Sequence, residues 1–110
     1  FVVEATSDNI FLVREGGLVT PPIWIGALRG ITRDATIEIA RREGIAVREE
    51  PFTRYDIFAA SECFLTGTAA EIIPVKKLDG RPIGDGRPGP LTRRLSELYR
   101  DLVNSEGDPV

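Results

Sequence analysis

Three short segments carry residue types that can do chemistry. Glu4 follows the apolar run Phe1 to Val3 and precedes the polar cluster Thr6-Ser7-Asp8-Asn9. A carboxylate there can face a site at the strand end, or it can be a solvated strand-end glutamate. Leu28-Arg29-Gly30-Ile31-Thr32-Arg33-Asp34 puts a glycine just before an expected helix start. Free N–H groups and the positive end of the helix dipole make such a spot a natural anion site, with the Thr32 hydroxyl as a further donor. The plainer reading makes Thr32 an N-cap and Gly30 a relaxed turn residue. Thr66-Gly67-Thr68-Ala69-Ala70 joins two apolar runs through small side chains. Thr68 and Ala69 can point N–H groups at an anion, or the stretch can be an ordinary hairpin connection.

Other candidates read as structural. Gly84-Asp85-Gly86-Arg87-Pro88-Gly89-Pro90 has no Gly-Lys-Ser/Thr sequence after it, and its prolines remove donors that a phosphate loop needs. Cys63 lies in an apolar run and reads as a buried, inert thiol. Lys76 and Lys77 adjoin a turn and read as exposed, whereas a catalytic lysine usually needs burial.

The elements that must position these segments follow from pattern. Ile10 to Val13 and Leu18 to Thr20 flank Glu15-Gly16-Gly17 and predict a β-hairpin, ended by Pro21-Pro22. A helix is expected from Thr32 to about Glu43, with Ile31, Ala35 and Ile39 on one face, Ile37 and Ala40 widening it, and Gly44 at its C-terminus. Ile45, Val47 and Glu49 alternate as a strand. Thr53 and Asp56 resemble a capping box for a short helix to about Ala60. Cys63 to Leu65 and Ile72 to Val75 predict two strands, Asp79-Gly80 a tight turn, and Gly80 to Pro90 a loop. Leu91, Leu95, Leu98 and Leu102 share one face of a final helix, and Ser105 to Val110 is a polar tail. Strands and helices are mixed, so the class is α/β or α+β.

Composition bounds the function. The 110 residues are enough for one small domain. With 14 basic and 17 acidic residues, the formal charge of −3 provides no basic field for nucleic acid. No histidine is present, which removes His triads, His-ligated zinc and His bases from this chain. One cysteine excludes an internal disulfide and makes a reducing, cytoplasmic setting the default. No apolar run has the length of a membrane span. Methionine is absent and the chain opens on Phe-Val-Val-Glu, so a piece of a longer protein is expected.

The motifs occur in a recognisable order. Val3-Glu4-Ala5-Thr6-Ser7-Asp8-Asn9-Ile10-Phe11 is followed by Gly30-Ile31-Thr32-Arg33-Asp34 and Thr66-Gly67-Thr68-Ala69-Ala70-Glu71. Pro74-Val75, Asp79-Gly80 and Gly84-Asp85-Gly86-Arg87-Pro88-Gly89-Pro90-Leu91-Thr92-Arg93 come next. Together they resemble the C-terminal part of the class IV, fold type IV pyridoxal-phosphate aminotransferases, in their branched-chain amino acid branch. The resemblance covers residues 1–104 as one cofactor- and substrate-contacting domain and leaves 105–110 as a tail. It implies an α/β fold of the D-amino acid aminotransferase-like C-terminal type, a barrel-like curled sheet with flanking helices.

It also implies roles. Glu4 would keep the pyridine nitrogen of pyridoxal 5′-phosphate protonated, and Leu28 would pack on the ring. Ile31 and Thr32 would hold the phosphate through backbone N–H groups and the Thr32 hydroxyl, with Thr68 as another contact. Ser7 would lie on the substrate side, and the Thr68 and Ala69 amides would receive the substrate carboxylate. The Schiff-base lysine would lie upstream of Phe1, so this chain would hold no catalytic residue and be inactive alone. The parent would move amino groups between branched-chain L-amino acids and 2-oxoglutarate, as a homodimer or larger assembly, with the upstream half of the enzyme as partner. D-amino acid aminotransferase and aminodeoxychorismate lyase are the alternatives within the family. A non-catalytic anion-binding domain is the alternative of another class.

Overall fold

The computed structural model describes residues 4–5, 8–22, 30–67, 72–84, 86–87 and 89–106. Strand β1 is Glu4–Ala5, β2 is Asp8–Arg14 and β3 is Gly17–Thr20. β2 is the centre of the sheet. Its residues from Asn9 to Val13 are all buried, because the strand is covered on both faces. Glu15 and Gly16, at φ 53° and 77°, form the primed two-residue turn that matches strand twist and returns β3 antiparallel to β2. β1 pairs with the start of the same β2, with Glu4 opposite Asn9 and Ala5 opposite Asp8. Asp8 and Asn9, read from sequence as turn residues, are therefore in a strand. Pairing overrides their weak strand propensity.

Helix α1, Ile31–Arg42, carries the chain across to β4, Val47–Glu49, which lies parallel to β3. Helix α2 is Arg54–Ala59 and strand β5 is Glu62–Thr66, antiparallel to β2 on its other edge. β6, Ile72–Pro74, pairs antiparallel with β5. The order is β4-β3-β2-β5-β6, and among the described residues the sheet stays open, so the expected barrel-like curl does not close. The expected loop after Asp79-Gly80 begins as a strand. β7, Lys77–Leu78, and β8, Arg81–Pro82, pair around that turn. Helix α3, Pro90–Glu106, takes in Ser105 and Glu106 of the expected tail. No helix among the described residues is long and apolar enough to cross a membrane.

Alternation along the strands splits the core into two layers. Phe11, Val13, Leu18, Phe64 and Ile72 meet Ile37, Ile39 and Ala40 of α1 and Leu95 and Tyr99 of α3. Phe11 and Phe64 are register partners, and their rings stack at 4.9 Å between centroids. Ile10, Leu12, Val19 and Cys63 face the opposite way, under Phe52, Ile57, Ala60 and Ile83. Thr53 caps α2 as expected: its N–H donates to Asp56 Oδ2 at 2.8 Å, and Asp56 N–H returns to Thr53 Oγ1. Gly44, at φ 76°, ends α1 in a Schellman motif, with Ile45 N–H on Ala40 O and Gly44 N–H on Arg41 O.

The face that α1 buries differs from the expected apolar one. It includes Thr32, Arg33 and Thr36 beside Ile37, Ile39 and Ala40. Polar burial is tolerated because partners are supplied to all of these side chains, and of their polar atoms only Arg33 Nε is left unpartnered among the described residues. Thr36 Oγ1 donates to Thr32 O at 2.7 Å, and the Arg33 guanidinium donates to Glu49 at 2.7 Å and to Pro21 O at 3.1 Å. The start of α3 is also closed by a distant group. Glu62 of β5 accepts from Thr92 N–H at 2.8 Å and Leu91 N–H at 3.2 Å. A Cβ at Gly89 would collide with the Glu62 carboxyl group, so glycine admits this cap.

Burial pushes the Cys63 thiol up to about 12. With so little thiolate, the folded protein is expected to resist a thiol-reactive dye at about pH 8 and to react fully in denaturant. Rapid labelling of the folded protein at Cys63 would contradict its burial.

Candidate functional site

The site grows from one row across three strands. Glu4 on β1 pairs with Asn9 on β2, and Asn9 pairs with Thr66 on β5. Asn9 and Thr66 lie two residues from Phe11 and Phe64, and so on the face that α1 and α3 cover. Gly30 precedes α1 at φ −97°, ordinary extended backbone. Its small size serves another purpose, since a Cβ would lie 2.5 Å from Asn9 Oδ1. Any larger residue would displace the Asn9 side chain, so glycine lets the first turn of α1 rest on this row.

No side chain caps α1, and Gly30 is its N-cap residue. Thr32, read from sequence as a cap in the plainer of two readings, is instead the second helical residue. Its hydroxyl leaves the helix altogether and donates to Gly67 O at 3.2 Å. Tyr99 OH of α3 lies 3.3 Å from the same Thr32 oxygen. The helix start is thereby tied to the residue before Thr68. Two of the three chemical segments meet here, and the third enters by the register of β1.

Glu4 and Ile31 are described in their backbone only, at the row and at the helix start. Ser7, Leu28, Thr68 and Ala69 lie outside the described residues. Pattern reasoning passed over Asn9, Thr66 and Tyr99. Asn9 resembled a turn residue, Thr66 only flanked a candidate loop, and nothing local marks Tyr99.

The arrangement suits an anion. A helix N-terminus without a side-chain cap offers N–H donors and the positive dipole end. Arg33, 2% exposed, is turned to Pro21 O and to the half-exposed carboxylates of Glu49 and Asp34, so its charge is already paired. Thr66 Oγ1 is buried without a hydrogen-bond partner among the described residues. A buried hydroxyl in that state calls for a polar group close by. A Thr32 hydroxyl held at 3.2 Å and the N–H groups of a helix start without a side-chain cap fit the phosphate of a cofactor such as pyridoxal 5′-phosphate.

An α/β domain in which a helix start meets a strand end agrees with the comparison to known families. The family model described as amino-transferase class IV matches residues 1–78, and the chain belongs to that family. It is 52% identical over 110 residues to a protein of Methanocaldococcus jannaschii, covering 100% of this chain and 38% of that one. It is 44% identical over 106 residues to the branched-chain-amino-acid aminotransferase of Escherichia coli (strain K12), covering 96% of this chain and 34% of the relative. Among solved structures it is similar to the T.th. branched-chain amino acid aminotransferase complexed with N-(5′-phosphopyridoxyl)-L-glutamate. That match has a TM-score of 0.90 and 42% identity, over 94% of this chain and 35% of the other. The chain spans about a third of the length of such relatives, 34% for the Escherichia coli protein.

Proposed function

We propose that this chain is the C-terminal, cofactor-holding part of a pyridoxal-phosphate transaminase acting between branched-chain L-amino acids and 2-oxoglutarate. The observation that carries the reading is the meeting of Thr32 with Gly67 at the start of α1, beside the row Glu4–Asn9–Thr66. The names of the relatives support the substrate class.

When bound, pyridoxal 5′-phosphate supplies a carbonyl carbon that takes the amino group and a ring that draws electrons from the substrate. In this reading the chain's own residues do the holding. Backbone N–H groups of Ile31 and Thr32 and the Thr32 hydroxyl grip the phosphate, with Thr68 as a further contact. Leu28 packs on the ring. Glu4 holds a proton at the pyridine nitrogen, because a carboxylate beside it favours the charged form. Ser7 faces the substrate, and the Thr68 and Ala69 amides receive its carboxylate. Residues 1–104 form the working unit. The Schiff-base lysine comes from the upstream part of the parent enzyme, which assembles as a homodimer or larger.

The test uses the complete parent chain with pyridoxal 5′-phosphate and 2-oxoglutarate. Glutamate formation is expected from L-leucine, L-isoleucine and L-valine and not from D-alanine, with none from residues 1–110 alone. Turnover of D-alanine only would replace the substrate assignment. Cofactor binding without any transamination would point to a lyase. Anion binding without cofactor binding would leave a non-catalytic domain.

A further inference from the structure

We infer that Tyr99 is a positioning residue for the Thr32 hydroxyl in the phosphate site, an inference that rests on the cofactor reading above. Tyr99 lies on α3, beyond the residues 1–78 that the family model matches. It is 8% exposed and packed in the helix-side core beside Leu95, so its hydroxyl is placed before any ligand arrives.

The direction of the hydrogen bonds follows from proton count. The Thr32 hydroxyl has one proton, and Gly67 O can only accept, so that proton goes to Gly67. Tyr99 must then donate to Thr32 Oγ1. The oxygen–oxygen distances of 3.2 Å and 3.3 Å are longer than the usual O–H···O range of about 2.5–3.0 Å. The Thr32 proton is therefore weakly committed. An anionic phosphate oxygen is a stronger acceptor than a carbonyl, and the proton can turn to it. Tyr99 meanwhile keeps donating into Thr32 Oγ1. That occupies one lone pair, restricts where the Thr32 proton can point and polarises the O–H toward the anion. Thr66, one residue before Gly67, is fully buried and its hydroxyl has no hydrogen-bond partner among the described residues, a state that a polar ligand beside it would satisfy.

Tyr99→Phe keeps the ring and removes the donor. The experiment titrates the cofactor-free complete parent chain with pyridoxal 5′-phosphate and, separately, with pyridoxal, following cofactor absorbance. The wild type is compared with Tyr99→Phe, Thr32→Val and the double variant. Tyr99→Phe is expected to weaken pyridoxal 5′-phosphate binding roughly three- to tenfold, the scale of one hydrogen bond. Pyridoxal binding stays unchanged. In the Thr32→Val background Tyr99→Phe should add nothing, because the group it acts through is gone. Equal weakening of both ligands, or the same loss in both Thr32 backgrounds, would mean that Tyr99 only packs. Loss on Thr32→Val without loss on Tyr99→Phe would overturn this inference and leave the cofactor reading standing. A wild-type protein that binds pyridoxal 5′-phosphate no tighter than pyridoxal would overturn both.

Discussion

Glu4→Gln in the complete parent chain is expected to lower transamination by about two orders of magnitude or more, the scale on which a positioned proton-holding group acts. Cofactor affinity should change little, because in the proposed reading the phosphate is held at Thr32, away from the ring nitrogen. The effect is electrostatic. A carboxylate beside a pyridine nitrogen raises that nitrogen's pKa and keeps it charged, and a neutral amide does not. With the cofactor bound, a charged ring would supply the electron-withdrawing chemistry that eases loss of the substrate's Cα proton. Glu4 sits in the right row, since its backbone pairs with Asn9, whose side chain lies against the start of α1. A loaded Glu4→Gln enzyme with near-normal turnover would remove Glu4 from this role. Loss of cofactor binding in that variant would show that Glu4 shapes the site instead.

The largest stability effect is expected at Gly84. Its φ of 60° is left-handed, and a Cβ there would collide with the Ser61 backbone carbonyl oxygen. Ser61 has no room to retreat, because its N–H and its hydroxyl both donate to Val13 O at 3.0 Å, at the end of the central strand. Left-handed backbone costs an alanine about 1–2 kcal/mol, and forced overlap in a packed region about 1–3 kcal/mol more. Gly80 separates the two costs. It has φ 78°, and a Cβ there would meet nothing within 4 Å, so Gly80→Ala carries only the backbone cost. Denaturant titration should therefore show Gly84→Ala losing about 2 kcal/mol more than Gly80→Ala. Equal losses would mean that the Ser61 contact yields freely.

What the sequence determined by itself was local. The Thr53 and Asp56 box, the turns at Glu15-Gly16 and Asp79-Gly80, and the glycine end of α1 at Gly44 were all legible. Each needs only neighbours a few residues away, and its residue types are chosen for backbone reasons. The chemical segments around Gly30 and Thr66 were legible too, as was the family resemblance their order carries. Tertiary structure decided the rest. Asp8 and Asn9 became strand because β1 and β5 flank them. Thr32, Arg33 and Thr36 became buried because Gly67, Glu49, Pro21 and the helix backbone supply partners. Glu62 became the cap of a helix that starts far along the chain, and Tyr99 became the neighbour of Thr32. A polar side chain's place depends on who satisfies it, and when that partner is distant in sequence, only the packed fold brings the two together.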